Sequence, residues 1–152
     1  MKLRLATKDD VPVLIQIGKD FIKESPNFRE RSYVEQSAGE HFSRLINGEG
    51  VIFVIENDGH ICGGFVGGIG NDWINNQKIA FDYVLYVKPD YRSTKAAYML
   101  VKAFIDWAQL KGADRIQCGT TTGVEAASCI NLYKKFGFKD VGVLLDLELK
   151  NV

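Results

Sequence analysis

The run Val84–Leu100, VLYVKPDYRSTKAAYML, constrains the fold more than any other part of the chain, because it joins a strand to a helix through a short polar turn. VLYV is apolar, β-branched and aromatic, as a buried strand requires, and Pro89 with Asp90 breaks it. Ser93 or Thr94 can cap the helix that AAYMLVKAFIDWA continues. The first N–H groups of such a helix have no intrahelical partner and, with the helix dipole behind them, favour an anion. Lys88, Arg92 and Lys95 surround the turn, so the anion it suits is the phosphate of a nucleotide-containing cofactor.

The rest of the chain places this unit in a mixed α/β fold. Lys2–Ala6 alternates like an edge strand, and Thr7–Asp10 reads as a capping box with Asp in place of Glu, ahead of the apolar positions Val13, Leu14, Ile17, Phe21 and Ile22. Ser25-Pro26-Asn27 ends that helix, and a second runs from about Ser32 to Ile46, stopped by Asn47-Gly48. Val51–Glu56 and Ile61–Ile69 are strands joined by Asn57-Asp58-Gly59, a hairpin signal. The glycines of the second strand, Gly63, Gly64, Gly67, Gly68 and Gly70, have no helix after them, so they read as sites of twist or close packing and not as a phosphate loop. Lys78–Val87 is the next strand, Arg115–Thr120 another, Glu125–Phe136 a helix, and Phe138–Leu149 the final strand or pair of strands. The order is β-α-α-β-β-β-α-β-α-β, in a single domain over residues 1–152.

Bulk properties exclude several classes. Nineteen basic and nineteen acidic residues leave no net charge, so no global field draws the chain to nucleic acid or to an anionic membrane. The N-terminus lacks the uninterrupted apolar core of a signal peptide, and no segment is long enough to span a bilayer, which predicts a soluble, cytoplasmic protein. Cys62, Cys118 and Cys129 are odd in number and lack metal-type spacing, and His41 and His60 are isolated, so no metal site is expected.

A second block, Leu132-Tyr133-Lys134-Lys135-Phe136-Gly137-Phe138, ends a helix and starts a strand, with Gly137 suited to the positive φ after a helix end. With the turn Arg92-Ser93-Thr94-Lys95-Ala96-Ala97, about forty residues earlier and preceded by Val87-Lys88-Pro89, it resembles the paired signatures of the GNAT superfamily of N-acetyltransferases. The resemblance covers almost the whole chain. It implies a GNAT-type mixed sheet, acetyl-CoA as acyl donor with no metal, backbone amides of Arg92, Ser93, Thr94, Lys95, Ala96 and Ala97 around the pyrophosphate, and main-chain groups of Leu85 and Val87 along the pantetheine arm. It implies transfer to an amine acceptor by direct attack in a ternary complex, with Tyr133 as proton donor to the departing thiolate. The acceptor is a small-molecule or peptide amine, and the family is compatible with a homodimer built through edge strands or the terminal strand.

Three positions depart from the family's pattern. Lys95 stands where Gly is usual, exchanging close backbone approach for a cation. Ala126 replaces an Asn that often contacts the cofactor. Tyr83 occupies the slot of the Glu that often serves as general base, with Asp82 beside it. Strand alternation sends Asp82 and Tyr83 to opposite faces, and a bulge would turn Asp82 inward as the base. Loss of the base leaves a second reading, a non-catalytic acyl-CoA-binding regulator. The loop residues Phe28, Arg29, Glu30 and Arg31 are candidates for acceptor contact or plain exposed loop, and Thr120, Thr121 and Thr122 for ligand contact or a helix-capping turn.

Overall fold

Every residue from Val51 to Ile55 is buried, which a strand with one wet face does not permit, so this strand is covered on both sides. The computed structural model describes residues 1–149; Lys150–Val152, the last three residues of the expected domain, lie outside the described residues. Five strands, β1 (Lys2–Leu5), β2 (Gly50–Asn57), β3 (His60–Asn71), β4 (Lys78–Val87) and β5 (Arg115–Gln117), form one sheet in the order β1-β2-β3-β4-β5. All neighbours are antiparallel except β4 and β5. Helices α1 (Val11–Glu24) and α2 (Glu35–Arg44) cover one face, where Leu14, Ile17 and Phe21 meet Ile52, Val54 and Tyr86. Helices α3 (Ala96–Leu110) and α4 (Ala126–Lys135) cover the other, where Leu100, Phe104 and Tyr133 meet Phe53, Ile55 and Phe65.

Local chemistry sets these elements. The Thr7 N–H donates to the Asp10 carboxylate at 2.7 Å, closing the capping box that precedes α1. Asp58 and Gly59 both have positive φ, 52° and 77°, as the two-residue turn between β2 and β3 demands. At the end of α4, the Phe138 N–H reaches the Tyr133 carbonyl at 3.3 Å and the Gly137 N–H reaches that of Lys134 at 3.0 Å. With Gly137 at φ 99° and the Phe138 ring 5.1 Å from that of Tyr133, this is a complete Schellman stop. The LYKKFGF block is therefore the device that fixes Tyr133 against the sheet.

The β3–β4 ladder contains one irregularity. Val66 faces Val84 and Gly67 faces Asp82, so Tyr83 is an extra residue in β4 with no partner across the ladder. The extra residue inverts the side-chain phase of the strand. Before it, Ala80 packs on the α3–α4 face; after it, Leu85 and Val87 do, while Val84 and Tyr86 join the α1–α2 core. Tyr83 lies on the α2 side, its ring 4.5 Å from His41 and 5.4 Å from Phe81. Asp82 consequently shares the α3–α4 side with Leu85 and Val87. Gly67 and Gly68 make room here: a Cβ on Gly67 would lie 2.4 Å from the Phe104 ring, and one on Gly68 2.9 Å from Phe81.

Three expectations need correcting. The second helix starts at Glu35, not Ser32, and after Arg44 it widens into a π turn, Leu45–Glu49, that leaves through Gly48 at φ 113°. The strand expected over Phe138–Leu149 is not formed: the segment has no ladder partner among the described residues, and Lys139–Leu149 are all exposed. Its ion pairs, Lys134–Asp140 at 3.0 Å and Arg31–Asp146 at 3.5 Å, tie it at two points but give its apolar side chains nothing to pack on. The helix after the basic turn is capped differently from expectation, with Lys95 at the cap position and the Thr94 hydroxyl accepting from the Ala96 N–H at 3.2 Å. Among the described residues no helix is long and apolar enough to cross a membrane.

Phe104 is fully buried and cannot give way, so Gly67→Ala should lower stability by about 1–3 kcal/mol through overpacking, read as a reduced urea midpoint with an unchanged slope.

Candidate active site

Strands β4 and β5 pair over only three residues each, Ile79–Phe81 with Arg115–Gln117, and then part. Asp82 is the first residue beyond the fork. The Gly119 N–H bridges the opening, donating to the two Asp82 carboxylate oxygens at 3.3 and 3.4 Å. Past this point β4 has no strand partner on its β5 side among the described residues, so its main-chain groups are open to a ligand laid alongside.

Two cavities fill the fork. One, of about 180 Å³, is lined by Leu85, Val87, Arg92, Ser93, Thr94 and Ala97 with Val124, Ser128, Cys129 and Leu132 of the facing segment. The other, of about 200 Å³, is lined by Asp82, Tyr83, Leu85, Gly119, Thr120–Thr122, Val124, Cys129 and Tyr133. They share Leu85, Val124 and Cys129, so the two chambers meet in the middle of the fork.

The first chamber suits a phosphate chain. It lies under the start of α3, whose first N–H groups have no intrahelical partner. The turn does contain one left-handed residue, Ser93 at φ 64°, whereas Lys95 sits at φ −78°. Lys95 in place of Gly therefore carries no backbone strain. The Arg92 side chain is already engaged: its Nε donates to the Val87 carbonyl at 2.9 Å, and its two terminal nitrogens reach the Glu24 carboxylate at 2.6 and 2.8 Å. The Tyr86 hydroxyl donates to the same carboxylate at 2.8 Å. The Arg92 guanidinium holds Glu24 below the usual carboxylate range, and burial beside Glu24 pushes Tyr86 up to about 12. Arg92 thus ties the turn to β4 and to the end of α1. Of the expected binding residues, Leu85, Val87, Arg92, Ser93, Thr94 and Ala97 line the chamber; Ala96 is buried in the core and Lys95 is exposed outside the lining.

The second chamber brings Asp82 and Tyr133 together. Burial pushes the Asp82 carboxyl up to about 6, against the opposing hydrogen bond from Gly119. Burial also raises Tyr133 far above the usual phenol range, reinforced by the neighbouring Cys118 and Asp82. Its hydroxyl is buried and has no hydrogen-bond partner among the described residues. The chamber thus sets an orphaned phenol beside a carboxyl of raised pKa, a pairing found where protons are exchanged. Cys118 and Cys129, read from the sequence as small core residues, both pack against the α3–α4 core, Cys129 also bordering the two chambers, and burial raises both thiols. Among the described residues no group of three His, Cys, Asp or Glu side chains converges as a metal site would require.

The loop after α1 closes the outer side of the second chamber through residues the sequence did not single out. The fully buried Ser25 donates its hydroxyl hydrogen bond to the Thr122 carbonyl, and Asn27 Nδ2 reaches that of Thr121 at 2.7 Å. Pro26 packs on Gly123, which takes φ 76°. The expected candidates lie farther along: Phe28 stacks edge-on against Phe21, with the Arg31 guanidinium 4.1 Å from its ring centre. The Thr122 hydroxyl accepts from the Val124 N–H at 3.2 Å, a turn role. Trp73, in the turn between β3 and β4, is 92% exposed and lines neither chamber. Ser-Pro-Asn was legible as a helix stop; that its polar atoms cross to a turn about a hundred residues later was not.

Comparison with known proteins follows the same lines. The model of the acetyltransferase (GNAT) family matches residues 15–138. No curated protein matches the sequence at a significant level. Among solved structures, a predicted acetyltransferase with acetyl-CoA from Clostridium acetobutylicum is 18% identical, with 97% of this chain and 95% of that one covered and a TM-score of 0.77. AAC(6')-Iy in complex with the bisubstrate analogue CoA-S-monomethyl-acetylneamine is 15% identical, with 99% and 98% covered and a TM-score of 0.77. An aminoglycoside acetyltransferase from an uncultured soil metagenomic sample is 17% identical, with 98% of each chain covered and a TM-score of 0.74. At such identities the likeness is one of fold.

The raised Asp82 pKa has a consequence for stability that needs no ligand. A carboxyl that holds its proton more tightly when folded loses stability as pH climbs from its unfolded value near 3.8 through about 6. Asp82→Asn removes that titration while keeping an oxygen for Gly119. Its urea-measured stability relative to the native sequence should therefore improve by up to about 3 kcal/mol between pH 4 and pH 7.

Proposed function

The chain belongs to the acetyltransferase (GNAT) family, and on that footing we propose that it transfers an acetyl group from acetyl-CoA to an amine acceptor, with both bound at once in the fork between β4 and β5. The observation that carries this reading is the pair of adjoining chambers, one under the first turn of α3 and the other holding Asp82 and Tyr133. A single domain suffices for the whole reaction.

The residues present fit the donor. Past the Ala96 N–H that Thr94 already accepts, the first turn of α3 offers helix N–H groups without intrahelical partners for the pyrophosphate, and the open side of β4 at Leu85 and Val87, apart from the Val87 carbonyl taken by Arg92, offers main-chain groups to the pantetheine arm. Acetyl-CoA supplies the activated thioester when bound. Asp82, unprotonated above about pH 6, accepts the proton of the acceptor's ammonium group and leaves a neutral nitrogen. That nitrogen forms a bond to the acetyl carbon as the carbon–sulfur bond breaks, and the second proton it sheds on becoming an amide restores the Tyr133 phenol after its own proton has gone to sulfur, while Asp82 returns the first proton to solvent. Tyr133 keeps its proton at neutral pH and donates it to the departing sulfur. The raised thiols of Cys118 and Cys129 stay protonated, which supports direct transfer over a relay through an acyl-cysteine.

The acceptor chamber has the chemistry of a small cationic amine: a carboxyl at its base and a threonine-bearing turn at its mouth. The aminoglycoside acetyltransferase among the structural neighbours supports a small-molecule amine, at an identity that carries no particular substrate. The alternative, a non-catalytic acyl-CoA binder, separates from this reading in one assay, since it binds acetyl-CoA and releases no CoA.

Calorimetric titration with acetyl-CoA, paired with a CoA-release assay against polyamines, aminoglycosides, amino acids and peptides, should show binding together with release for at least one cationic small molecule. Binding without release across the panel would favour the regulator, and absence of binding would refute both. With an active amine in hand, Tyr133→Phe should lower kcat by about 10²-fold with acetyl-CoA affinity unchanged. The same variant should match or exceed the native urea midpoint, because the lost hydroxyl is buried without a partner.

A further inference from the structure

Among the described residues three side chains line both chambers of the fork, Leu85, Val124 and Cys129, and of these only Cys129 is a nucleophile. It stands on α4 four residues before Tyr133, so the thiol and the phenol share one face of the helix. Tyr133 is only 5% exposed, and its hydroxyl lies in the second chamber without a partner among the described residues. A buried polar atom left bare in a chamber marks a place where the polar group of a ligand belongs. Cys129 borders that place from one helical turn away. Neither of the other cysteines does: Cys62 is buried in the sheet core, and Cys118 lines neither chamber. All three are free thiols.

The acetyl-transfer reading, on which this inference rests, requires the sulfur of the donor to lie where the donor and acceptor chambers meet, and Cys129 is part of the wall at that junction. We propose that Cys129 is a site of covalent modification, which takes one CoA from a CoA disulfide held in the fork and thereby closes the donor chamber. The Cys129 thiol loses its proton to solvent, and its sulfur attacks the disulfide sulfur of the CoA that sits in the donor chamber. A sulfur–sulfur bond forms between Cys129 and that CoA as the original sulfur–sulfur bond breaks. The other CoA leaves as a thiolate past the Thr120–Thr122 turn and takes up a proton. One disulfide is consumed and one is made, so the exchange calls for no further oxidant or reductant.

Burial, with Glu125 and Asp82 nearby and only Arg92 opposing them, holds the Cys129 thiol above its ordinary range, which slows the attack without preventing it. Each unit of raised pKa thins the thiolate about tenfold and returns about threefold in nucleophilicity, a net loss of about threefold. Holding both sulfurs in one cleft outweighs that, because effective molarities of well-oriented groups reach about 10⁵ M. The adduct occupies the place of the pantetheine arm along Leu85 and Val87, so a modified chain cannot take acetyl-CoA. The oxidation state of CoA then governs whether the fork is open.

Intact-mass spectrometry with peptide mapping, after the native chain is incubated with CoA disulfide, should show one CoA per chain, carried on Cys129. Cys118→Ser should keep the adduct and Cys129→Ser should lose it. Excess acetyl-CoA should block its formation, and glutathione disulfide, which has no nucleotide for the donor chamber to hold, should leave Cys129 unmodified under the same conditions. By calorimetry the modified chain should bind no acetyl-CoA until dithiothreitol releases the CoA. An unmodified chain that binds acetyl-CoA yet takes no CoA from the disulfide, or takes it on Cys62 or Cys118, would overturn this inference and leave the acetyl-transfer reading standing. Equal modification by glutathione disulfide would do the same. An unmodified chain that binds no acetyl-CoA would overturn both, and mapping on the native chain decides the site even if Cys129→Ser fails to fold.

Discussion

One extra residue in β4 governs this molecule. A regular ladder from Lys78 to Val87 would put Asp82 on the same face as Val84 and Tyr86, in contact with the α1–α2 core. With Tyr83 bulged, the strand presents Ala80 and Asp82 to the α3–α4 side and then Leu85 and Val87 to that same side. A carboxyl and the main-chain rail for a bound ligand thus share one face of one strand. The same bulge lies where β4 leaves β5, and a strand bent at its fork is what holds the cleft open. The Gly67–Gly68 pair opposite makes the bend sterically permissible, since a side chain at either position would strike Phe104 or Phe81.

Burial does the electrostatic work on one side of the fork and ion pairing does it on the other. Among the described residues Asp82 has no basic partner and is hydrogen-bonded across the fork by Gly119, so desolvation prevails and pushes the carboxyl up to about 6. Glu24 is the opposite case, held below the usual carboxylate range by its hydrogen bonds from Arg92 and Tyr86. The two carboxyl groups therefore differ in kind: one is left without a cation and titrates upward, and one is paired and fixes geometry. Arg92, whose place in the turn invites a phosphate-binding role, spends its guanidinium tying α1, β4 and the turn together.

The sequence made legible whatever depends on local chemistry. The strand–turn–helix unit, the Asp58-Gly59 hairpin, the Thr7 capping box and the Gly137 helix stop all declare themselves in a few adjacent residues, and each is present, the first with its cap moved to Lys95. Features set by distant partners were not legible. Nothing near Asp82 announces a bulge, because its cause is the mismatch with Val66 and Gly67 on the neighbouring strand. Ser25 and Asn27 read as a helix stop because their partners, Thr122 and Thr121, lie on the far side of the chain. The terminal run has the alternation of a strand, yet alternation states only what a segment can bury, and among the described residues it pairs with no strand.

The pH dependence of kcat/KM, measured with an accepted amine on the native chain and on Asp82→Asn, tests most directly whether the bulge has delivered a working base. The account predicts an acidic limb for the native chain with an apparent pKa near 6, and in the variant a rate lower by about 10²-fold with that limb gone. A native profile without the limb, or a variant that keeps both limb and rate, would show that Asp82 is not the group that carries the proton.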